Sequence, residues 1–88
     1  MVEKSYIIVD EAGLHARPST KLVSVISGFQ SEVLIDYKGK RVNLKSIMGV
    51  MSLGIPKDAQ FKVIANGDDA EQVITSLDAV IKKEGIAK

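Results

Sequence analysis

Hydrophobic and polar residues alternate with two different periodicities along this chain and divide it into seven segments. Four short segments are apolar at alternate positions or nearly throughout, which predicts strands at residues 5–9, 32–37, 40–44 and 60–66. Three others repeat apolar residues every three to four positions, as amphipathic helices do. The first of these spans 16–27, a short one follows Ser46 and ends at Gly54, and the last opens at 67–69.

The last helix has the clearest limits. Asp69 and Gln72 have the spacing of a capping box, and so do Asp68 and Glu71. In a capping box the first side chain accepts a hydrogen bond from a free N–H of the first turn. We therefore expect an aspartate to cap this helix, and Gly85 to end it.

The order of these segments is β-α-β-β-α-β-α. Lys38 and Gly39 fit a two-residue hairpin turn between the second and third strands. Two split β-α-β units of this kind give an α+β fold, an open-faced β-sandwich in which helices pack on one face of a four-stranded antiparallel sheet. One domain is expected to span residues 1–88.

The composition excludes several classes of protein. Of 88 residues, 45% are apolar, which argues against disorder, and charged residues balance to +1, which argues against direct binding to nucleic acid. No cysteine and a single histidine make a metal site improbable, and no cofactor is expected. No apolar run approaches the roughly 20 residues of a membrane span, and the N-terminus does not resemble a signal peptide. We expect a cytoplasmic protein that does not insert into membranes.

His15, the one histidine, stands where the first strand segment gives way to the first helix. Pro18 suits the first turn of a helix, so His15 should lie at or just before the first helical residue. Free backbone N–H groups and the positive end of the helix dipole favour an anion there, and Arg17 adds a guanidinium. These groups suit a phosphoryl group on a ring nitrogen, although a histidine at this position can also be a simple cap or surface residue.

The short helix after Ser46 is unusually apolar for its length. Val50 and Leu53 can face the core, which leaves the apolar side chains of Ile47, Met48 and Met51 near the surface. Methionine is common on surfaces that meet several partners, but these residues can equally cap the core of a small domain. Ser46 is a natural N-cap, and a phosphate on it would add charge at the rim of the apolar group.

Two stretches of this sequence carry a family resemblance, Gly13-Leu14-His15-Ala16-Arg17-Pro18 and residues 45–53, Lys-Ser-Ile-Met-Gly-Val-Met-Ser-Leu. The chain resembles, over essentially its whole length, the HPr family, the histidine phosphocarriers of the bacterial phosphoenolpyruvate-dependent sugar phosphotransferase system. The second stretch is similar to the Gram-positive form.

The resemblance implies a function, partners and site residues. Phosphorylated enzyme I would pass a phosphoryl group to Nδ1 of His15, Arg17 would help to hold it, and enzyme IIA domains would receive it. Ser46 matches the serine that HPr kinase/phosphorylase modifies, and the modified form would bind catabolite control protein A. The residues expected to bind partners are Ala16, Thr20, Ser24, Ile47, Met48 and Met51. A monomer is expected.

The chain departs from its relatives at Ala12, where serine or threonine is frequent, at Lys21, where an apolar residue is frequent, and at Pro56.

Two other functions compete with the carrier. A purely regulatory module of the same fold would act through phosphorylated Ser46 alone, but relatives of that kind lack the active histidine. A small RNA-binding domain would stack bases on sheet aromatics, and here the fourth strand offers Phe61 alone.

Overall fold

The computed structural model describes residues 1–88, and its seven elements follow the predicted order. The strands are β1 Val2–Ile7, β2 Glu32–Tyr37, β3 Lys40–Asn43 and β4 Gln60–Asn66. The helices are α1 Ala16–Ile26, α2 Ile47–Ser52 and α3 Ala70–Lys83. None of these helices has the length and apolar character that crossing a bilayer requires.

The strands form one antiparallel sheet in the order β1-β4-β2-β3. The chain crosses over between β1 and β2 through α1, and β4 inserts between these two strands. α3 packs against β1 and β4, and α1 packs against both α3 and α2. The predicted α+β architecture, an open four-stranded antiparallel sheet with three helices, is confirmed.

The core lies between the sheet and the helices as one cluster of 19 buried residues. Alternate residues of β2 and β4 point into it, which is why their apolar positions recur with a period of two. Tyr6 and Phe61 stack there with ring centroids 5.5 Å apart. Leu22, Leu77 and Ile81 of the two long helices are fully buried and close the cluster from the other side.

Local turn chemistry was predicted correctly in the β2–β3 hairpin and at the end of α3. Lys38 and Gly39 have φ values of 52° and 83°, the two positive angles that a tight hairpin turn needs. Gly85 follows α3 with φ of 65°, as helix-ending glycines do. These angles depend on the nearest neighbours in the sequence, so they can be predicted from it.

The limits of three elements differ from those predicted. β1 begins at Val2 and ends at Ile7, instead of spanning 5–9, because pairing with β4 runs from Val2–Ala65 to Ile7–Gln60. Because residues 3 and 5 are polar, the pattern of apolar residues did not indicate the first half of β1. Beyond Ile7 the chain pairs instead with the C-terminal residues, through an isolated bridge from Ile8 to Ala87. β3 and α1 each end one residue early, at Asn43 and Ile26.

The predicted capping box of α3 is wrong. Asp69 is the N-cap residue, but its side chain makes no capping hydrogen bond. Its carboxylate instead accepts the N–H groups of Gln30 and Ser31 at 2.8 and 2.9 Å, and the Ser31 hydroxyl. The Ser31 hydroxyl and these N–H groups hold the pKa of Asp69 below its usual range. Three donors from the segment before β2 compete better than one N–H of the helix itself.

A second carboxylate ties β1 to α3. Asp78 accepts hydrogen bonds from the Lys4 ammonium and the Tyr6 hydroxyl, and forms an ion pair with Lys82 at 2.9 Å. The bonds from Lys4 and then Lys82 lower the pKa of Asp78 from 3.8 to about 2. Burial, and then the nearby Asp78 charge, raises the pKa of Tyr6, so its hydroxyl stays protonated.

We expect the ionic contribution of the Asp78 network to stability to be complete above about pH 4 and to be lost as the pH falls toward 2. A carboxylate whose pKa falls on folding contributes stability above its unfolded value, and that stability is lost as pH falls from 3.8 toward 2. Asp78→Asn should therefore lower the free energy of unfolding at pH 7, and the difference from wild type should shrink toward zero near pH 2. Urea unfolding at both pH values measures this. Glu32→Gln, at an exposed carboxylate without an ion pair, is the matched control; an equal loss at both pH values for Asp78→Asn would contradict the ionic origin.

Candidate functional site

His15 is the N-cap residue of α1, as predicted. Its backbone is extended, with φ of −81° and ψ of −169°, and its imidazole makes no capping hydrogen bond. The turn before it is closed by two hydrogen bonds, from the Gly13 N–H to the Asp10 carbonyl and from the His15 N–H to the Gly13 carbonyl, both 3.0 Å. The imidazole is therefore available to react or to bind a ligand, since it makes no hydrogen bond that holds the helix N-terminus.

The loop that carries His15 rests on the segment after α2. The Leu14 N–H donates to the Ile55 carbonyl at 2.8 Å, and the Leu14 side chain is buried. Gly13 has φ of 73° and lies directly against the backbone of Ile55 and Pro56. Only a residue without a Cβ fits there, both for its backbone angle and for the space. Pro56, whose role the sequence did not indicate, forms part of this support.

Two backbone donors next to the imidazole have no partner. The N–H groups of Ala16 and Arg17 have no acceptor in the protein, Pro18 has no N–H, and the Ser19 N–H already donates to the His15 carbonyl at 3.1 Å. The two free N–H groups lie in the first turn, at the positive end of the α1 dipole. An anion bound beside His15 would find both of them.

A shallow pocket of about 380 Å³ opens at this end of α1. It is lined by Asp10, His15, Arg17, Pro18, Lys21, Glu84 and Ile86. The His15 side chain is 39% exposed, and its Nε2 lies 3.6 Å from Oδ1 of Asp10. Lys21 and Glu84 form an ion pair across the pocket at 3.6 Å.

Sequence reasoning did not place four of these residues in the pocket, namely Asp10, Lys21, Glu84 and Ile86. The pattern along the chain indicates only a loop at Asp10 and only the end of the last helix at Glu84. The isolated bridge from Ile8 to Ala87 joins the C-terminal residues to the end of the β1 segment, and Glu84 lines the same pocket as His15 although the two are far apart in the chain. Lys21 is an unusual residue for its position, but nothing in the sequence placed it in a pocket with His15.

The outer face of α1 continues from the pocket. Ala16, Thr20 and Ser24 are exposed, and together with Arg17 and Lys21 they line a shallow depression of about 500 Å³. The Thr20 hydroxyl donates to the Ala16 carbonyl at 2.8 Å. This bond satisfies the threonine hydroxyl within α1.

α2 lies beside α1 and carries three exposed apolar residues. Ile47, Met48 and Met51 are 37%, 79% and 42% exposed, while Val50 is buried in the core. Ser46 is the N-cap, as predicted, and its hydroxyl accepts the Gly49 N–H at 3.1 Å. α1 and α2 are in contact, so the two helices that carry the residues predicted to bind partners are neighbours in the fold.

The pattern of the chain matches a known family. Residues 2–83 match the family model described as the phosphorylation site of the HPr component of the phosphotransferase system. The chain belongs to the HPr family. The HPr family consists of phosphocarrier proteins, and the resemblance stated from the two sequence stretches is confirmed.

Solved HPr structures agree with this assignment. The histidine-containing phosphocarrier protein of Mycoplasma is 36% identical, with 99% of each chain covered and a TM-score of 0.95. HPr from Bacillus anthracis is 37% identical over 89% of this chain and 93% of its own, with a TM-score of 0.81.

A third relative is a dimer. Crh, the catabolite repression protein of Bacillus subtilis, is 36% identical over 96% of this chain and 97% of its own, with a TM-score of 0.73. It forms a domain-swapped dimer. Membership of the HPr family therefore does not by itself establish the monomer that was expected here.

Proposed function

We propose that this protein accepts a phosphoryl group on His15 from phosphorylated enzyme I and passes it to enzyme IIA domains. The observation that carries the proposal is an accessible imidazole, unused by local structure, beside two N–H groups without acceptors and the Arg17 side chain. Anchoring a transferred phosphoryl group requires positioning and compensation of its negative charge, and these groups provide both.

The atom that takes the phosphoryl group in this proposal is Nδ1. Nε2 faces the Asp10 carboxylate, so a neutral ring with its proton on Nε2 has its lone pair on Nδ1. That lone pair forms the new P–N bond while the bond between phosphorus and the donor atom of enzyme I breaks, and its electron pair stays with that donor atom. No proton moves in this step. The reverse sequence delivers the group to the next acceptor.

Arg17 has a supporting role in this scheme. Its guanidinium lines the same pocket as the imidazole, and it is a good partner for phosphoryl oxygens because it offers paired donors at fixed angles. Together with the free N–H groups it would hold the phosphoryl group in place between the two transfers.

Partners would dock on the joined faces of α1 and α2. This docking surface comprises Ala16, Thr20, Ser24, Ile47, Met48 and Met51, with His15 at its edge. Small side chains on α1 allow close approach, and exposed methionines adapt to surfaces of different shape. A carrier needs such a surface because its donor and acceptors are unrelated proteins.

Ser46 would regulate the carrier. It stands at the start of α2, beside Ile47 and Met48, so a phosphate placed there by HPr kinase/phosphorylase would lie at the rim of the docking surface. In that form the protein would bind catabolite control protein A. A purely regulatory module would use Ser46 alone, and the equipped pocket around His15 favours the carrier over that alternative.

The proposal is tested by incubating the protein with enzyme I and phosphoenolpyruvate. We expect one phosphate per chain that is labile in acid and stable in base, as a phosphohistidine is, and that maps to His15 by mass spectrometry. Phosphate that appears only with ATP and the kinase, and only on Ser46, would support the regulatory module instead.

Phosphorylation of Ser46 is expected to slow transfer from enzyme I by about tenfold or more at low salt, with much less effect at high salt. A charge at the rim of an interface acts mainly on association rate, and salt screens it. Ser46→Asp should slow transfer less, because a carboxylate has less charge than a phosphate. Thr75→Asp, an equal charge on the outer face of α3, is the control. Equal rates for modified and unmodified protein at low salt would contradict the rim-charge explanation.

A further inference from the structure

One carboxylate, that of Asp10, faces the imidazole of His15. The Oδ1 atom of Asp10 lies 3.6 Å from Nε2, and the same oxygen accepts the Ala12 N–H at 2.9 Å. The Ala12 bond aims the carboxylate at the ring. Nothing in the sequence resemblance assigns a role to this residue.

The position of Asp10 is set by tertiary structure and does not depend on His15. The N–H groups of Val9 and Asp10 both donate to the Ile86 carbonyl, at 3.0 and 3.4 Å, and the Asp10 carbonyl accepts the Gly13 N–H. The Asp10 side chain is only 29% exposed. The carboxylate is therefore held in place before any phosphoryl group arrives, as an electrostatic contribution to transfer requires.

The charge of the ring changes during transfer. When the Nδ1 lone pair bonds to phosphorus, the ring becomes an imidazolium that keeps its proton on Nε2 and carries about one positive charge. That charge develops next to the Asp10 carboxylate. A unit charge pair at about 4 Å is stabilised even in a water-like medium, and more so in a partly enclosed pocket.

We propose that Asp10 is a positioning residue that acts through the His15 ring: its negative charge favours the tautomer with the proton on Nε2 and stabilises the phosphorylated imidazolium. This role rests on the proposed function. The Asp10 charge lowers the free energy of the phosphorylated form. It therefore speeds transfer of the phosphoryl group to His15 and slows transfer away from it.

Repulsion between Asp10 and the phosphoryl group is the opposing effect. The phosphoryl group is bonded to Nδ1, whereas Asp10 faces Nε2, the other nitrogen of the ring. The free N–H groups of Ala16 and Arg17 and the guanidinium compensate the phosphoryl charge. The carboxylate therefore interacts mainly with the nearer, positive ring.

The test replaces Asp10 by asparagine, which keeps the shape of the side chain and an acceptor for the Ala12 N–H but removes the charge. Rates of transfer are measured in both directions between phosphorylated enzyme I and the protein, together with the equilibrium constant. Asp10→Asn should lower the equilibrium constant for loading by about threefold or more, with slower loading and faster unloading, and the change should diminish with salt. Glu11→Gln removes the adjacent carboxylate, which is exposed, pairs with Lys57 and lies outside the pocket, and should change neither rate.

Opposite changes of the two rates distinguish this role from a structural one, because a disturbed loop slows both. Equal slowing in both directions, an unchanged equilibrium constant, or a shift toward the loaded form would each overturn the role of Asp10. If wild type acquires no phosphate on His15, the proposed function itself fails, whereas loading of wild type with an unchanged equilibrium in Asp10→Asn overturns this inference alone. Asp10→Ser, which keeps a smaller acceptor, serves if the asparagine variant does not fold.

Discussion

Replacing His15 by alanine is expected to abolish acceptance of phosphate from enzyme I and to change the free energy of unfolding by less than about 0.5 kcal/mol. The loss is complete because no other side chain in the pocket offers an imidazole nitrogen. The small effect on stability follows from the structure around the ring. The imidazole makes no capping bond and is half-exposed, and its contact with Asp10 at 3.6 Å is too long for a hydrogen bond.

Transfer of radiolabelled phosphate from phosphoenolpyruvate through enzyme I measures the activity of His15→Ala, and urea unfolding measures its stability. Ser46→Ala is the matched control, because it removes the other candidate phosphorylation site but should still be labelled in this assay. Acid-labile phosphate on His15→Ala would contradict the proposal that His15 accepts the phosphoryl group. A large loss of stability would show instead that His15 has a structural role.

Gly13→Ala is expected to destabilise the protein by about 2–4 kcal/mol and to slow transfer through His15. Two costs add. The backbone angle φ of 73° is unfavourable for any residue with a Cβ, and the new Cβ would overlap the Ile55 carbonyl and lie 2.9 Å from Cα of Pro56. Because both obstacles are backbone atoms, relief requires moving the loop that carries His15.

Gly28→Ala is the matched control for this variant. Gly28 has an ordinary backbone angle, and no atom lies within 4 Å of the position that an alanine Cβ would take, so alanine there should leave stability unchanged or raise it by up to about 1 kcal/mol. Denaturant unfolding of both variants gives the comparison. If Gly13→Ala loses no more stability than Gly28→Ala, the close approach to residues 55 and 56 does not constrain the loop.

Features that depend on near neighbours could be predicted from the sequence of this protein. The helical period of α3, the hairpin turn at Lys38 and Gly39, and the Ser46 cap each follow from residues within a few positions of one another. The place of His15 before α1 and the exposure of Met48 followed in the same way. The order of the seven segments was sufficient to predict the antiparallel sheet, and the motifs around His15 and Met48 were sufficient to predict the family.

Tertiary structure alone decided which distant groups meet. The Asp69 side chain does not cap α3 as predicted, because its carboxylate accepts three hydrogen bonds from Gln30 and Ser31, which are remote in the chain. The first half of β1 was recognisable only through its pairing with β4, since a strand with one exposed face can be polar at half its positions. The pocket of His15 also depends on such contacts, because Asp10 is held by the Ile86 carbonyl and Gly13 by Ile55 and Pro56. A local sequence pattern specifies which backbone conformations have low free energy. Hydrogen bonds and ion pairs between remote segments form only when the packed sheet and helices bring their donor and acceptor groups close together.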